Sequence, residues 1–96
     1  MIIKFGHQLA EDIFLGRVTG ASRKFSKDLR LVAERKLQYL NVASRLEDLR
    51  SPPGNRLEAL KGRLKGYYSI RINDQWRLVF IWKDGASDVK IIDYHK

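Results

Sequence analysis

Ninety-six residues make one domain with a single core, and 44% apolar against 31% charged residues marks a globular chain rather than a disordered one. The absence of cysteine excludes a disulfide framework and a thiolate metal site; two histidines at opposite ends, His7 and His95, do not define a metal cluster, so neither metal nor cofactor is expected. A formal charge of +8 selects anionic partners, namely nucleic acid, acidic protein or a membrane surface, while no apolar run approaches the roughly 20 residues of a membrane span.

In chain order, Ile2 to Phe5 predicts a short first strand. The start has neither the basic region nor the long apolar run of a signal peptide, so a cytoplasmic protein without a membrane partner is expected. A short helix begins near His7 and runs through Leu15, and a connector containing Gly, Thr and Ser follows from Gly16 to Ser22. Ser26 is placed to cap a longer helix that extends to about Val42. Its buried stripe is Leu29, Val32, Ala33, Leu37 and Leu40, at helical spacing. Ser44 and Glu47 fit a capping box for a further short helix, which Ser51-Pro52-Pro53-Gly54 must end because two prolines cannot continue it. Asn55 to Lys65 reads as a loop holding a short strand at Leu57 to Leu60. Three strands then follow: Tyr67 to Ile72, Trp76 to Trp82 and Asp88 to Tyr94, the last two joined through the hairpin signal Asp84-Gly85. Helices first and an antiparallel meander afterwards predict an α+β architecture over residues 1–96, with N-terminal helices packed on one face of a small sheet.

Alternation fixes the register within that sheet. Tyr68, Ile70 and Ile72 share one strand face, and Trp76, Leu78 and Phe80 share one face of the next. A turn from Asn73 to Gln75 then pairs Ile72 with Trp76 and Ile70 with Leu78, which sets Arg71 directly opposite Arg77 on the other face. Like charges directly across a ladder are destabilising, so an anion is expected between them. The same face carries Ser69, Val79, Ile81 and Tyr67, and it is the expected open, functional face. Basic residues are also concentrated nearby: seven between Arg50 and Arg77 against Glu58 and Asp74, and six between Arg23 and Lys36 against Asp28 and Glu34.

If the last strand runs antiparallel to Trp76–Trp82, its end brings Asp93, Tyr94 and His95 towards the arginines. Lys61 reaches in from the preceding loop in this reading, and Arg56 is a further RNA-contact candidate beside it. Arginines can clamp a phosphate and stabilise transition-state charge, histidine moves protons near neutral pH, and tyrosine donates a hydrogen bond or stacks on a base. RNA supplies its own nucleophile in the 2′-hydroxyl, so this set suits phosphodiester transfer. Tyr94 and His95 also fit a frayed terminus. Tyr67 is the stacking candidate, whereas Trp76 and Trp82 lie on the apolar face and read as core; His7 reads as a helix-start residue.

The runs SPPGNRLEALKG (51–62), GYYSIRINDQWRLVF (66–80) and IIDYH (91–95) resemble the HigB group of the RelE/ParE toxins of type II toxin–antitoxin pairs. The resemblance is dense over the second half of the chain, looser over VAERKLQYL (32–40) and LEDLRS (46–51), and adds little in the first 30 residues. It implies a RelE-like fold and a ribosome-dependent mRNA endoribonuclease that inhibits translation. The implied partners are the ribosome and mRNA, a HigA-like helix-turn-helix antitoxin, and operator DNA through the antitoxin complex alone. Carried over by position, the family's terminal Asp-Tyr-His falls on Asp93, Tyr94 and His95, and its basic active surface on Lys61, Arg71 and Arg77. Some members have a catalytic histidine where this chain has Glu58, which leaves Glu58 either as a base or as a group that repels phosphate. Two other readings stay open: a ParE-like gyrase inhibitor that is not a nuclease, and a basic module that binds RNA or a partner without catalysis.

Overall fold

Two helices, α1 (Gln8–Phe14) and α2 (Lys27–Val42), pack on one face of a four-stranded antiparallel sheet whose strands are adjacent in chain order: β1 (Glu58–Ala59), β2 (Tyr68–Arg71), β3 (Trp76–Trp82) and β4 (Ala86–Asp93). This α+β arrangement matches the RelE-like fold expected from sequence. The computed structural model describes residues 1–94; His95 and Lys96 lie outside the described residues. Helix α2 starts where predicted, because the Ser26 hydroxyl accepts a hydrogen bond from the Leu29 amide and satisfies one of the orphan donors of the first turn. Its stripe is also as read: Ala33, Leu37 and Leu40 are buried, with Leu29 and Val32 packed against the same cluster. Across from them lie Ile70, Ile72, Leu78 and Phe80, flanked by Tyr68, Trp76 and Trp82. Trp76 packs on Phe25 at a ring separation of 4.7 Å, so it is a core residue.

Three local expectations are corrected. Ile2 to Phe5 makes two isolated parallel bridges, to Ala86 and Val89, in place of a regular strand. The β4 edge is bulged at Asp88, which has φ 50°, and an even ladder cannot run past that irregularity. The box after α2 uses Asp48 and not Glu47: one Asp48 oxygen accepts from the amides of both Ser44 (2.9 Å) and Arg45 (3.0 Å), and the short 3-10 helix Leu46–Arg50 starts one residue later than read. The third concerns the sheet face away from the helices, which is not open at its centre. Ser69 and Val79 are buried there, because the Arg77 side chain lies over Ser69 and the cross-strand neighbours of Val79 are Ser69 and Lys90.

His7 closes the N-terminus of α1 onto the sheet. Its Nε2 accepts the Ile91 amide at 2.9 Å, which requires an unprotonated nitrogen. Burial, and then repulsion from Lys90, hold its pKa below the ordinary 6.5. Asp12, buried under the connector, accepts from Gln8 Nε2 (2.8 Å) and Thr19 Oγ1 (2.9 Å), and these bonds hold its carboxyl below the usual carboxylate range.

Two stability predictions follow from this packing. Leu40→Ala removes a fully buried side chain and should cost about 2–5 kcal/mol in urea unfolding, out of a total of roughly 5–15 kcal/mol for a domain of this kind. The His7 contribution is complete above the unfolded histidine value near 6.5 and is lost as pH falls from there through the lower folded value. The Asp12 contribution holds through that window and fades only below the usual carboxylate range. The urea midpoint should therefore fall between pH 7.5 and 5, and His7→Gln, which keeps an acceptor and cannot titrate, should flatten that segment.

Candidate active site

The β2–β3 hairpin places the central pair by packing. Ile70 pairs with Leu78, and the Ile72 amide donates to the Trp76 carbonyl at 3.0 Å, so both apolar faces meet the helices. Arg71 is consequently the cross-strand partner of Arg77. It sits beside a hydrogen-bonded pair, at the kind of position where opposed side chains come closest. The turn is closed by the Asn73 side chain, whose Oδ1 accepts from the amides of Gln75 (2.9 Å) and Trp76 (2.7 Å).

Each arginine has a carboxylate of its own. Arg71 Nη2 lies 2.5 Å from Asp74 of the turn, and Arg77 Nη1 lies 2.8 Å from Glu58 of β1. The opposition of like charges is thus relieved within the chain, and by itself it does not require an external anion. Arg77 is the more firmly held of the two. Its Nη1 is also 3.2 Å from Ser69 Oγ and 3.5 Å from the Arg56 carbonyl, and its guanidinium lies over the Tyr94 ring at 4.8 Å. Those polar contacts engage one nitrogen of a group that offers five N–H donors. Only 12% of the Arg77 side chain is exposed, against 33% for Arg71.

The end of β4 delivers Tyr94 as the strand direction predicts. Arg77 pairs with Ile92 and Trp76 with Asp93, and the Tyr94 amide donates to the Gln75 carbonyl at 2.6 Å. Alternation then sends Tyr94 to the arginine face, while Asp93 falls on the Trp76 side and accepts from Gln75 Nε2 at 3.1 Å. His95, the expected imidazole, lies outside the described residues.

Other candidates are spread along β2. In the β1–β2 register Glu58 pairs with Ser69 and Ala59 with Tyr68, so Arg56 lies towards the Arg71 end and Lys61 towards the Tyr67 end. Arg56 adopts a left-handed conformation (φ 48°, ψ 57°) at the end of the 3-10 turn Pro53–Asn55, and its carbonyl faces Arg77. Lys61 is exposed at the far end and is not among the groups that meet Arg77. Tyr67 is likewise removed from the arginines: its hydroxyl donates to Asp88, and Lys90 is 3.3 Å from the same carboxylate. That bond raises the Tyr67 pKa and lowers that of Asp88.

Two polar residues contribute through burial, which the sequence does not signal. Ser69 reads as one polar residue of an alternating strand, yet it is fully buried beneath the Arg77 guanidinium. Asn55 reads as a turn residue, yet its buried amide donates to the carbonyls of Leu49 (3.2 Å) and Ser51 (3.3 Å) while its oxygen accepts from Lys36 Nζ at 2.6 Å. This ties the segment before β1 to α2 and so positions Arg56 and Glu58. Burial, with Arg35 and Arg71 nearby, lowers the Lys36 pKa. Among the described residues there is no group of three or more His, Asp or Glu side chains able to hold a metal, and no helix is long and apolar enough to cross a membrane.

Comparison with known proteins identifies the family. Residues 3–95 match the family model of the RelE-like HigB toxins of type II toxin–antitoxin systems. The chain is 53% identical over 62 residues to a Vibrio cholerae protein named toxin HigB-1, a match that spans 65% of either chain. It is also 36% identical over 72 residues to an uncharacterized Haemophilus influenzae protein, which covers 75% of this chain and 71% of the relative. With an α+β fold of the expected kind and a family match over nearly its whole length, the chain belongs to the RelE-like HigB toxins of type II toxin–antitoxin systems.

Proposed function

We propose that the chain is a toxin that cuts mRNA on translating ribosomes, without a metal, and is neutralised by a helix-turn-helix antitoxin of the HigA kind. The observation that carries the reading is the fixed Arg77 guanidinium opposite Arg71, bordered by the Tyr94 ring. In this mechanism Arg71 and Arg77 hold the scissile phosphate. The 2′-hydroxyl of the preceding nucleotide attacks phosphorus, the bond to the 5′-oxygen breaks, and a 2′,3′-cyclic phosphate and a 5′-hydroxyl result. Negative charge on the phosphoryl oxygens grows on the way to the transition state, which fixed guanidiniums stabilise better than mobile ones. Tyr94 or His95 handles the protons, and Asp93 orients the chain end through its bond to Gln75. Lys61, Arg56 and Tyr67 then contact RNA flanking the cut. Alignment of the RNA by the ribosome supplies much of the rate, since positioning alone can be worth about 7–11 kcal/mol. The cytoplasm is where such a toxin acts, and operator DNA is reached only through the antitoxin.

A translating extract read by primer extension tests the proposal. The wild-type protein should leave discrete cuts, and Arg77→Ala should lower the cutting rate roughly 100-fold or more, as the loss of one preorganised transition-state donor does elsewhere. Arg71→Ala should lower it less, in keeping with its looser hold. Intact mRNA together with impaired DNA supercoiling in the wild type would instead make the chain a gyrase inhibitor, and unchanged cutting by Arg77→Ala would remove Arg77 from the site.

A further inference from the structure

Between Arg50 and Arg77 the chain has two acidic residues, Glu58 and Asp74, and each is paired with one member of the arginine pair. We propose that Glu58 is a built-in competitor for the anion seat of Arg77: in the resting protein its carboxylate occupies the place that an RNA phosphate must take. The proposal rests on the reading of Arg77 as the phosphate clamp and adds a restraint on that same site.

The two partners differ in how they are held. Arg77 is the fixed member, with 12% of its side chain exposed and further contacts to Ser69 Oγ at 3.2 Å and to the Tyr94 ring at 4.8 Å. Glu58 is the movable one. Half of its side chain is exposed, and it sits on β1, an edge strand of two residues, both exposed, that is paired to β2 alone. An edge strand this short has little packing to oppose a rotamer change of an exposed side chain. When a phosphate arrives, the guanidinium exchanges one oxyanion for another and is never left bare. The entering phosphate therefore gains the difference between two charge-assisted bonds, whereas on a vacant arginine it would gain the whole of one.

This restraint has a direct consequence for selectivity. RNA diffusing in solution competes poorly with a carboxylate tethered beside its target, because the tether gives Glu58 a high effective concentration at Arg77. RNA held in register on a ribosome has a comparable advantage of its own and can displace it. The carboxylate thus disfavours binding to loose RNA while permitting attack on RNA that is already positioned.

The experiment is equilibrium binding of the purified full chain to a short fluorescein-labelled RNA with 2′-O-methyl riboses, which cannot be cut, at one fixed ionic strength. Glu58→Gln should bind roughly two- to fivefold more tightly than wild type, the range in which exposed ion pairs fall. Glu47→Gln removes the same charge from an exposed position after α2 and should bind as wild type does. In an Arg77→Ala background, or Arg77→Lys if alanine does not fold, the gain from Glu58→Gln should vanish. A gain no larger than that of Glu47→Gln, or one that persists without Arg77, would overturn the competitor role and leave the clamp standing. RNA binding unchanged by Arg77→Ala would overturn the clamp, and the proposal with it.

Discussion

The register between β2 and β3 is the constraint from which the rest of the site follows. It is enforced on the helix side, where Ile70 and Leu78 are fully buried against each other and Ile72 joins the same core. A slip of one residue would carry these side chains out to solvent and bring Ser69, Arg71 and Arg77 into the core. Burying an unpaired guanidinium costs far more than the core can return. The chain therefore has no nearby alternative to placing Arg71 opposite Arg77, and hydrophobic burial on one face supplies the energy that tolerates charge opposition on the other.

The opposition is then moderated rather than left exposed. Asp74 reaches Arg71 from within the turn, three residues along, and Glu58 reaches Arg77 from the neighbouring strand. Neither is a large stabilising interaction, because the carboxylates are half or fully exposed and screened by water. Their effect is to balance the opposed charges, while Ser69 below and the Tyr94 ring against it hold the Arg77 guanidinium in place. Orientation is what a phosphate clamp requires, since reorganisation avoided before reaction is stabilisation gained during it.

How much of this was legible in the sequence depends on whether a feature is periodic. The stripe of α2, the three long strands, the hairpin register and the arginine pair all follow from spacings of two or of three and four, and the structure reproduces them. Features set by single side chains did not follow. The box after α2 shifted by one residue because an aspartate at position 48 reaches both amides. The first strand broke into two bridges because a residue with positive φ bulges its partner strand. Lys61 and Tyr67 do not gather at the arginines for plain geometric reasons: antiparallel pairing of β1 with β2 sends residues that follow Glu58 away from Arg71, and Tyr67 stands at the other end of β2, bonded to Asp88. The sequence placed Ser69 on the arginine face but gave no sign of its burial or of Asn55's part, because no local pattern announces that a polar residue will be buried by a partner distant in sequence.

The bulge in β4 also explains why the chain separates its two polar clusters. Val79 pairs with Lys90 and Ile81 with Ser87, so the one extra residue of β4 near Asp88 is accommodated there, at the Tyr67 end of the sheet. Asp88, Tyr67 and Lys90 satisfy one another in that cluster, with His7 bonded to the neighbouring Ile91 amide. Beyond the bulge the ladder is regular from Val79 to Trp76, and it is this stretch that sets Tyr94 against Arg77 with no adjustment left to make. An irregularity placed closer to Trp76 would have turned Tyr94 to the other face. The irregular half of β4 thus takes the bridges of Ile2 and Phe5 at Ala86 and Val89, and the regular half aims Tyr94 at Arg77.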